Sequence, residues 1–545
     1  MSGFRVNSAG RVQQGHFSKV PMSLGAPRSA FDRSFSHKTT AEAGIIYPVL
    51  WEPILPGDTV NLSMNMIARL ATPIFPYMDN VYCDIHFFFC PNRLVMSNWE
   101  KLQGAQDDPD DTTDYEVPAL SATTHAAGTA IDSIYTYLMG VVLPAGMVQA
   151  DMPIALPFRA YYRVWNEWYR NQNWQDSLTY PLTDIADTTA YALQRRNRRM
   201  DYFTSLLPSP QKGDPVSVPL TGSAPVTGIG AYNQTWPSGP VNVYETGGTG
   251  AVTYASTDAK QIGAANDNQF FYVEQDPNNA GFPNIYADLN DVSAVTINTL
   301  RESIVLQQML ELDARGGTRY VEILLSRFGV VSPDFRLQRT EYLGGQTLDV
   351  NVSPIAQSSV TTATTPQGNL AGFATARGRA AVSHSFVEHG QLLGLISFRA
   401  DTTYQEGLSR HLSVRTRYDY YEPLAANLGE QATLNKEIYL AAPNGSTTTD
   451  KNGVLGYGER WAEYRYKPSY VTGSFLSAAS GTLDSWHLAL DFSSLPTIED
   501  LLPENPPIDR IIAVPSEPHF IVDMWTKFRH VRVMPIYSTP GLTRL

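Results

Sequence analysis

The side chains most able to do chemistry in this 545-residue sequence form two small clusters. His384 and His389 flank Glu388 and offer ligand types that transition metals accept. Their odd separation would place the two imidazoles on opposite faces of a strand, which argues against a shared metal. Residues 107–114, DDPDDTTD, offer clustered carboxylates of the kind that bind Ca²⁺. They lack the glycine and closing glutamate of an EF-hand, so a solvated loop is the favoured interpretation.

Catalytic motifs are otherwise missing from the sequence. It contains no G-x-S-x-G, H-E-x-x-H, phosphate-binding loop or C-x-x-C pattern. We therefore predict a protein that is not an enzyme and needs no cofactor or metal. One alternative stays open, a secreted β-rich carbohydrate-binding or glycoside-cleaving protein, because carboxylates and aromatic residues are numerous. The absence of an apolar signal segment at the N-terminus argues against that alternative.

Charge is distributed unevenly along the chain. The formal net charge is −13, yet residues 1–40 contain six basic residues and one acidic residue. The C-terminal stretch from Trp525 has basic residues and no acid, and the segment QRRNRRM near residue 197 is a third basic region. An acidic body with basic ends indicates an anionic partner on one side of the molecule. The simpler alternative is a solvated tail with ordinary surface ion pairs.

The elements that must position these side chains are mainly strands. Within 58–95, the segment DTVNLSMNMIARL alternates apolar and polar residues, which predicts a half-buried strand. The following segment IHFFFCP breaks that alternation, so we expect cover on both faces, with Phe87 and Phe89 on one face and Phe88 on the other. The cover over Phe88 could be an arm, an insertion or a neighbouring subunit. Cys83 and Cys90, seven residues apart, should face opposite ways as buried free thiols.

The remaining pattern predicts an eight-stranded antiparallel jelly roll, a β-sandwich, with long and partly helical insertions. The aromatic stripe through Tyr161 and Trp165 predicts a core helix. Two further helices should follow, one ending at Gly316-Gly317 and one over 321–328. No stretch is apolar enough to span a membrane. The predicted segments are an extended basic arm (1–57), first strands (58–95), a helix-containing insertion (96–210), a variable β-rich insertion (211–293), a helical segment (294–345), and the remaining strands with a basic C-terminal segment (346–545).

Several stretches together resemble the major capsid protein of gokushoviruses, small single-stranded-DNA bacteriophages of the microvirus family. They are RSAFDRSFSHKTTAEAGIIYPVLWEPILPGDTVNL (28–62), RLATPIFPYMDNVYCDIHFFFCPNRLV (69–95), ELDARGGTRYVEILLSRFGVVSPDFRLQRTEYLGG (311–345), FVEHGQLLGLISFRADTTYQEGL (386–408), WHLALDF (486–492) and IDRIIAV (508–514). The matches occur in order across nearly the whole chain. Thr340, Leu312 and Cys90 depart from the expected pattern, but none of them touches a catalytic role.

The resemblance implies a structural subunit, sixty copies of which close a T=1 icosahedral shell around a circular single-stranded DNA genome. It further implies a scaffolding protein, a DNA pilot protein and a host receptor as partners, after synthesis in the cytoplasm of a bacterial host. The residues expected to face DNA are Arg5, Arg11, Lys19, Arg195, Arg196, Arg198, Arg199, Lys527, Arg529 and Arg532. The insertion at 211–293 corresponds to a threefold surface protrusion, in which Tyr232, Trp236, Tyr244 and Tyr254 are expected to contact the host.

Overall fold

The structure, a computed structural model, describes residues 27–105, 108, 114–214, 216, 297–315, 338–361, 366–440 and 450–537, and six short strands between residues 226 and 287. The chain divides into two units. The first comprises Met1–Pro210 with Val331–Leu545, and the second comprises Gln211–Val330. None of the helices within the described ranges is long and apolar enough to cross a membrane.

Strands are the main elements of the described residues. In chain order the strands are β1 (Arg28–Asp32), β2 (Phe35–Ala41), β3 (Tyr47–Ile54), β4 (Thr59–Leu70), β5 (Val81–Pro91), β6 (Val226–Thr227), β7 (Ile229–Gly230), β8 (Val241–Tyr244), β9 (Ala251–Tyr254), β10 (Tyr272–Val273), β11 (Tyr286–Ala287), β12 (Glu341–Ala356), β13 (Leu370–Ser385), β14 (Gly390–Ala400), β15 (Thr403–Tyr404), β16 (Glu430–Leu434), β17 (Val454–Glu459), β18 (Ser469–Tyr470) and β19 (Phe520–Val533). The helices are α1 (Trp99–Leu102), α2 (Ile134–Met139), α3 (Leu156–Val164), α4 (Ile297–Arg315), α5 (Asn435–Ile438) and α6 (Ile498–Leu501). Strands β6 to β11 and helix α4 belong to the second unit.

The main sheet is antiparallel and curls back on itself. Its strand order is β1-β19-β4-β13-β12-β5-β14-β3, and β2 also pairs with β19. Phe398 of β14 stacks on Phe520 of β19 with ring centroids 3.7 Å apart. These two strands are near opposite ends of the order, so the two halves of the sheet face each other across one apolar core. This arrangement agrees with the predicted jelly-roll sandwich.

One half of the sheet, β3, β5 and β14, is buried on both faces. Phe87 and Phe89 belong to the core inside the curl, whereas Phe88 belongs to a second core built with the helical insertion. The ring of Phe88 lies 5.6 Å from Trp168 and 5.4 Å from Tyr342, measured between centroids. The predicted division of the phenylalanines is confirmed, and the described cover over Phe88 comes mainly from the insertion. Cys83 and Cys90 are free and buried in the first and second core, respectively.

The insertion that covers this half is held by α3 and the π-helical turn Trp165–Tyr169 that continues it. Tyr161 and Trp165 are buried as the aromatic stripe predicts, because α3 lays one face on the strands. The hydroxyl of Tyr161 donates a 2.8 Å hydrogen bond to the carbonyl of Ile46. Burial of that hydroxyl is therefore compensated, and the helix is fixed to the chain just before β3.

The other half, β4, β13 and β19, is buried on its inner face only. All three strands alternate buried and exposed residues over most of their length. The predicted half-buried strand at β4 is confirmed: Val60, Leu62, Met64 and Met66 point inward. The strict period of two follows from the pleat, since one face packs against the core and the other faces outward.

The second unit contains α4 and three small two-stranded ladders. Helix α4 ends directly before Gly316, as predicted, whereas the helix expected over 321–328 lies outside the described residues. Strands β8 and β9 form an antiparallel hairpin, while β7 pairs with β10 and β6 with β11. The segment boundaries given above for the insertions stay predictions.

Candidate nucleic-acid interface

The outward face of β4, β13 and β19, called the open face below, gathers basic residues from distant parts of the sequence. Its exposed cations are Arg69, Arg377, Arg379, Lys527 and Arg529. They share a face because the strand pairing aligns their positions: Arg377 lies opposite Ile67 and Arg379 opposite Asn65. Lys527 lies opposite Ser63 on the other side of β4. Alternation and register together therefore bring these side chains onto one surface.

These five cations form no close ion pair with the carboxylates that the structure describes. Within the part of the chain that the structure describes, no carboxylate oxygen lies within 4 Å of any of them. Arg379 donates a 2.6 Å hydrogen bond from Nε to the hydroxyl of Ser63. The nearby Asp523 is paired with Lys38 at 3.3 Å. The open face is therefore a positive surface on an acidic protein, available to an external anion.

Acidic groups at the edge of the open face are already engaged. Asp32 of β1 accepts hydrogen bonds from the side chain and backbone of Ser34. These bonds, followed by a smaller contribution from Lys527, lower the pKa of the Asp32 carboxyl. Asp32 is thus ionised near neutral pH, and the strand register places it opposite Arg529 at one edge of the open face.

An aromatic ring lies among the cations. Trp525 is 52% exposed and shares one row of the sheet with Asn65 and Arg379. Lys527 is two residues further along the same strand and points to the same side. Cations beside an exposed aromatic ring are the combination that holds phosphates and stacks on unpaired bases. Such an arrangement suits sequence-independent binding of single-stranded nucleic acid.

Part of the arginine run at 195–199 serves the interior instead. Arg196 is buried, and its Nη1 donates to Asp84 at 2.6 Å and to Ser397 at 2.8 Å. Arg399 also donates from Nε to Asp84, at 2.9 Å. Burial raises the pKa of Asp84, but Arg196, a hydrogen bond from Thr347 and Arg399 outweigh burial and lower the pKa to about 2. This ion pair attaches the insertion to the covered half of the sheet.

The other members of the run divide between interior and surface. Arg198 is buried, whereas Arg195 and Arg199 are exposed. Nη1 of Arg195 donates to the carbonyl of Glu504 and to the side chain of Asn505, both at 3.1 Å. The run is extended, so neighbouring side chains point opposite ways. The sequence prediction placed all four arginines on one surface, but this alternation buries Arg196 and Arg198.

The C-terminal strand also divides its basic residues. Lys527 and Arg529 lie on the open face, but Nε of Arg532 donates to Asp58 at 3.0 Å. His530 makes a 2.8 Å contact with the same buried carboxylate. Sequence reasoning missed Arg69, Arg377 and Arg379. The signal was present in the segment ATARGRA, where the arginines alternate with small residues that point into the core.

The sequence matches a known protein family over almost its whole length. The model of the family described as "Capsid protein (F protein)" matches residues 18–542. The chain belongs to this family. It is 43% identical to "Capsid protein VP1" of Bdellovibrio phage phiMH2K, over 97% of this chain and 98% of the relative. It is 41% identical to the protein of that name in Chlamydia phage 1, over 98% of both chains. In Spiroplasma virus 4 the identity is 32%, over 93% of this chain and 94% of the relative.

The gokushovirus resemblance is thereby confirmed, and this capsid protein is a structural component of the virion. Agreement over nearly the whole length of three capsid proteins favours the structural hypothesis over the carbohydrate-active alternative. It also explains why a 60.3 kDa chain lacks catalytic motifs.

Some predicted site residues of the capsid protein cannot be placed. Arg5, Arg11, Lys19, Tyr232 and Trp236 lie outside the described residues. The other two expected host-contact residues belong to the β8–β9 hairpin. There Tyr244 is paired with Ala251, and Tyr254 is paired with Val241.

The metal candidates of the capsid protein have other roles in the structure. Glu388 pairs with Arg93 at 2.7 Å, and the ring of His389 packs on Trp99. His384 lies 3.6 Å from Glu341. Across the described ranges, no three histidine, cysteine or acidic residues are grouped to hold an ion. Of the acidic run at 107–114, only residues 108 and 114 are described.

Proposed function

We propose that the open face binds the packaged single-stranded DNA and forms part of the inner surface of the shell. The observation that supports this proposal is the set of five exposed cations, none of which has a carboxylate within 4 Å among the described residues, on a protein whose formal net charge is −13. A shell that packages a polyanion needs positive charge on its inside. A negative exterior would limit association between particles.

Recognition would be independent of sequence. Arg377, Arg379 and Lys527 would neutralise phosphates, while Ser63 and Asn65 donate hydrogen bonds to phosphate and sugar oxygens. The exposed ring of Trp525 would stack on a base of any type. The cations lie along neighbouring strands of one sheet face, so a nucleic-acid strand could lie along it in many registers.

The rest of the assembly belongs to the same proposal. Sixty copies would close a T=1 icosahedral shell around a circular genome, with an internal scaffolding protein and a DNA pilot protein as further partners. Segment 211–293, which contains Tyr232, Trp236, Tyr244 and Tyr254, would form the surface protrusion that contacts the host. Arg5, Arg11 and Lys19 of the N-terminal arm would add positive charge on the inside, as would Arg199.

The salt dependence of DNA binding tests the role of the open face. The triple variant Arg377→Gln, Arg379→Gln, Lys527→Gln removes three phosphate contacts from the full chain. Each contact to a single strand contributes about −0.7 to the slope of log K against log salt concentration, so the slope should become about 2 less negative. Fluorescence titration of labelled oligo-dT at several salt concentrations measures that slope.

A matched triple variant controls for net charge. Lys436→Gln, Lys451→Gln and Lys467→Gln remove the same charge at positions of the first unit outside strands β4, β13 and β19, and should leave the slope within experimental error of the wild type. An equal loss in both triple variants would show a general charge effect and would contradict the assignment. Particles should also contain less DNA with the first variant than with the control.

A further inference from the structure

A second exposed surface of the capsid protein is aromatic rather than basic. It consists of Leu412, Tyr418, Tyr420, Tyr421, Leu424 and Tyr464, called the tyrosine patch below. These side chains are between 47% and 94% exposed, and Leu424 is the most exposed of them. Two exposed leucines, Leu412 at 68% and Leu424 at 94%, among four tyrosines form an unfavourable surface for an isolated protein. Neither the jelly roll nor the DNA proposal accounts for it.

The patch is held in a defined shape. The hydroxyl of Tyr464 accepts a 3.4 Å hydrogen bond from the backbone of Tyr421, and its ring lies 4.8 Å from His411 and 6.2 Å from Trp461. Trp461 is buried with φ at 65°, and its indole donates to the carbonyl of Ala425 at 3.2 Å. A left-handed tryptophan is unfavourable, so the surrounding packing must enforce it. The rings are therefore preorganised rather than loosely attached.

The patch contains charges of both signs, and two of its arginines are left without a carboxylate partner in the described part of the chain. Arg417 lies over the ring of Tyr418 at 5.1 Å, and neither Arg415 nor Arg417 has a carboxylate within 4 Å among the described residues. Tyrosine, arginine and exposed leucine at one site match the composition of protein interface cores. Arg415 and Arg417 can therefore pair with carboxylates of another copy, because the chain has a formal net charge of −13.

The size of the patch also fits such an interface. Side chains exposed to this degree present on the order of 600 Å², since a large aromatic residue offers ~150–250 Å². A standard interface takes about 800 Å² from each partner. We propose that the tyrosine patch is a contact between neighbouring copies of this chain in the shell. The inference rests on self-assembly into a shell and adds the surface through which copies meet.

DNA is a weaker candidate for the tyrosine patch. Asp419 and Glu422 lie within it and would repel phosphates, and Leu412 and Leu424 offer nothing to a sugar-phosphate backbone. On the open face, by contrast, Ser63 and Asn65 lie between the cations and can hydrogen-bond to a sugar-phosphate backbone, although Ile67 is exposed beside them. The patch therefore matches the chemistry of protein association better than that of nucleic acid.

Photo-cross-linking identifies the partner directly. A benzophenone amino acid at position 424 of the full chain, irradiated in purified particles, should give a product of twice the chain mass whose cross-linked peptide comes from a second copy. The same group at Val387, which is 83% exposed and outside the patch, should give at least fivefold less of that product. Cross-links from position 424 only to DNA, or none in intact particles, would overturn the proposal.

Substitution tests whether the contact is needed for assembly. Tyr420→Asp with Leu424→Asp should lower the yield of sedimenting shells at least tenfold, while circular dichroism and the melting temperature of the unassembled chain match the wild type. Val387→Asp should leave the yield unchanged. Normal shells from the double variant, or an equal loss in Val387→Asp, would refute the patch assignment. Shell formation by the wild type would still stand, so the two proposals fail separately.

Discussion

The two halves of the curled sheet use the same backbone pattern but differ in what lies on their outer faces. On the covered half, the outward residues of β5 are Asp84, His86 and Phe88, and the insertion packs over them. On the open half, the outward residues of β19 are solvated and include Trp525 and Lys527. Whether a strand face is buried or solvated decides whether its charged side chains need a partner. Under the insertion every carboxylate and guanidinium must find a partner, whereas on the open half a cation can stay unpaired.

This difference separates two kinds of basic cluster. The segment 195–199 contains four arginines, yet one of them, Arg196, forms a buried ion pair with Asp84. The open-face cations lie as much as 460 positions apart, between Arg69 and Arg529, yet they share one surface. Density along the chain is therefore a poor guide to an anion-binding surface, and the availability of a counter-ion is a better one.

The largest expected contrast is in stability. Phe88→Ala should lower the free energy of unfolding by about 4 kcal/mol, because the ring is fully packed and its removal leaves a cavity between sheet and insertion. Trp525→Ala on the open half should change it by no more than about 0.5 kcal/mol, since an exposed side chain contributes little. Urea denaturation of the wild type and of both variants measures the two changes in the free energy of unfolding. Similar losses in both would mean that the open face is also covered in the unassembled chain.

The pH dependence of stability should also differ between the halves. Burial lowers the pKa of His86 to about 4, with the nearby Asp84 carboxylate acting in the opposite direction. Between pH 6.5 and 4 the unfolded chain therefore binds a proton that the folded chain does not, and stability falls as pH falls. This residue alone should account for about 3 kcal/mol across that window.

The variant His86→Gln isolates that contribution. Its free energy of unfolding should fall less steeply than that of the wild type between pH 6.5 and 4, as measured by denaturant titration at several pH values. His37→Gln is the control for the loss of an imidazole from another strand of the same sheet, β2. Parallel curves for wild type and His86→Gln would show that His86 titrates normally in the folded protein.

The smallest expected effect is on the affinity of the open face for DNA and concerns the ring of Trp525. Trp525→Ala should weaken oligo-dT binding by about 1 kcal/mol, roughly fivefold, at constant salt slope, because it removes stacking and no charge. Trp525→Phe should restore most of the affinity. Ile521→Ala, which removes an exposed apolar side chain from the same strand, should have no effect. A change of slope with Trp525→Ala would instead indicate disturbed phosphate contacts.

Local pattern already determines much of this protein. Alternation in β4 predicts one buried face, and the unbroken apolar run at Phe87, Phe88 and Phe89 predicts two, because side-chain direction in a strand has a period of two. Gly316 predicts the end of α4 because glycine readily terminates a helix. The resemblance to gokushovirus capsid proteins likewise follows from the sequence, since the matching stretches extend over most of it.

Only the tertiary structure decides which partner each polar side chain finds. The pairing of Arg196 with Asp84 joins residues 112 positions apart, and that of Arg379 with Ser63 joins residues 316 apart. Such contacts depend on strand order and on the path of the insertion, which no local period encodes. The same holds for the tyrosine patch, where Tyr421 and Tyr464 meet only through folding. The sequence alone therefore identifies a β-rich capsid subunit, while the fold determines which of its charges and rings are buried and which stay exposed.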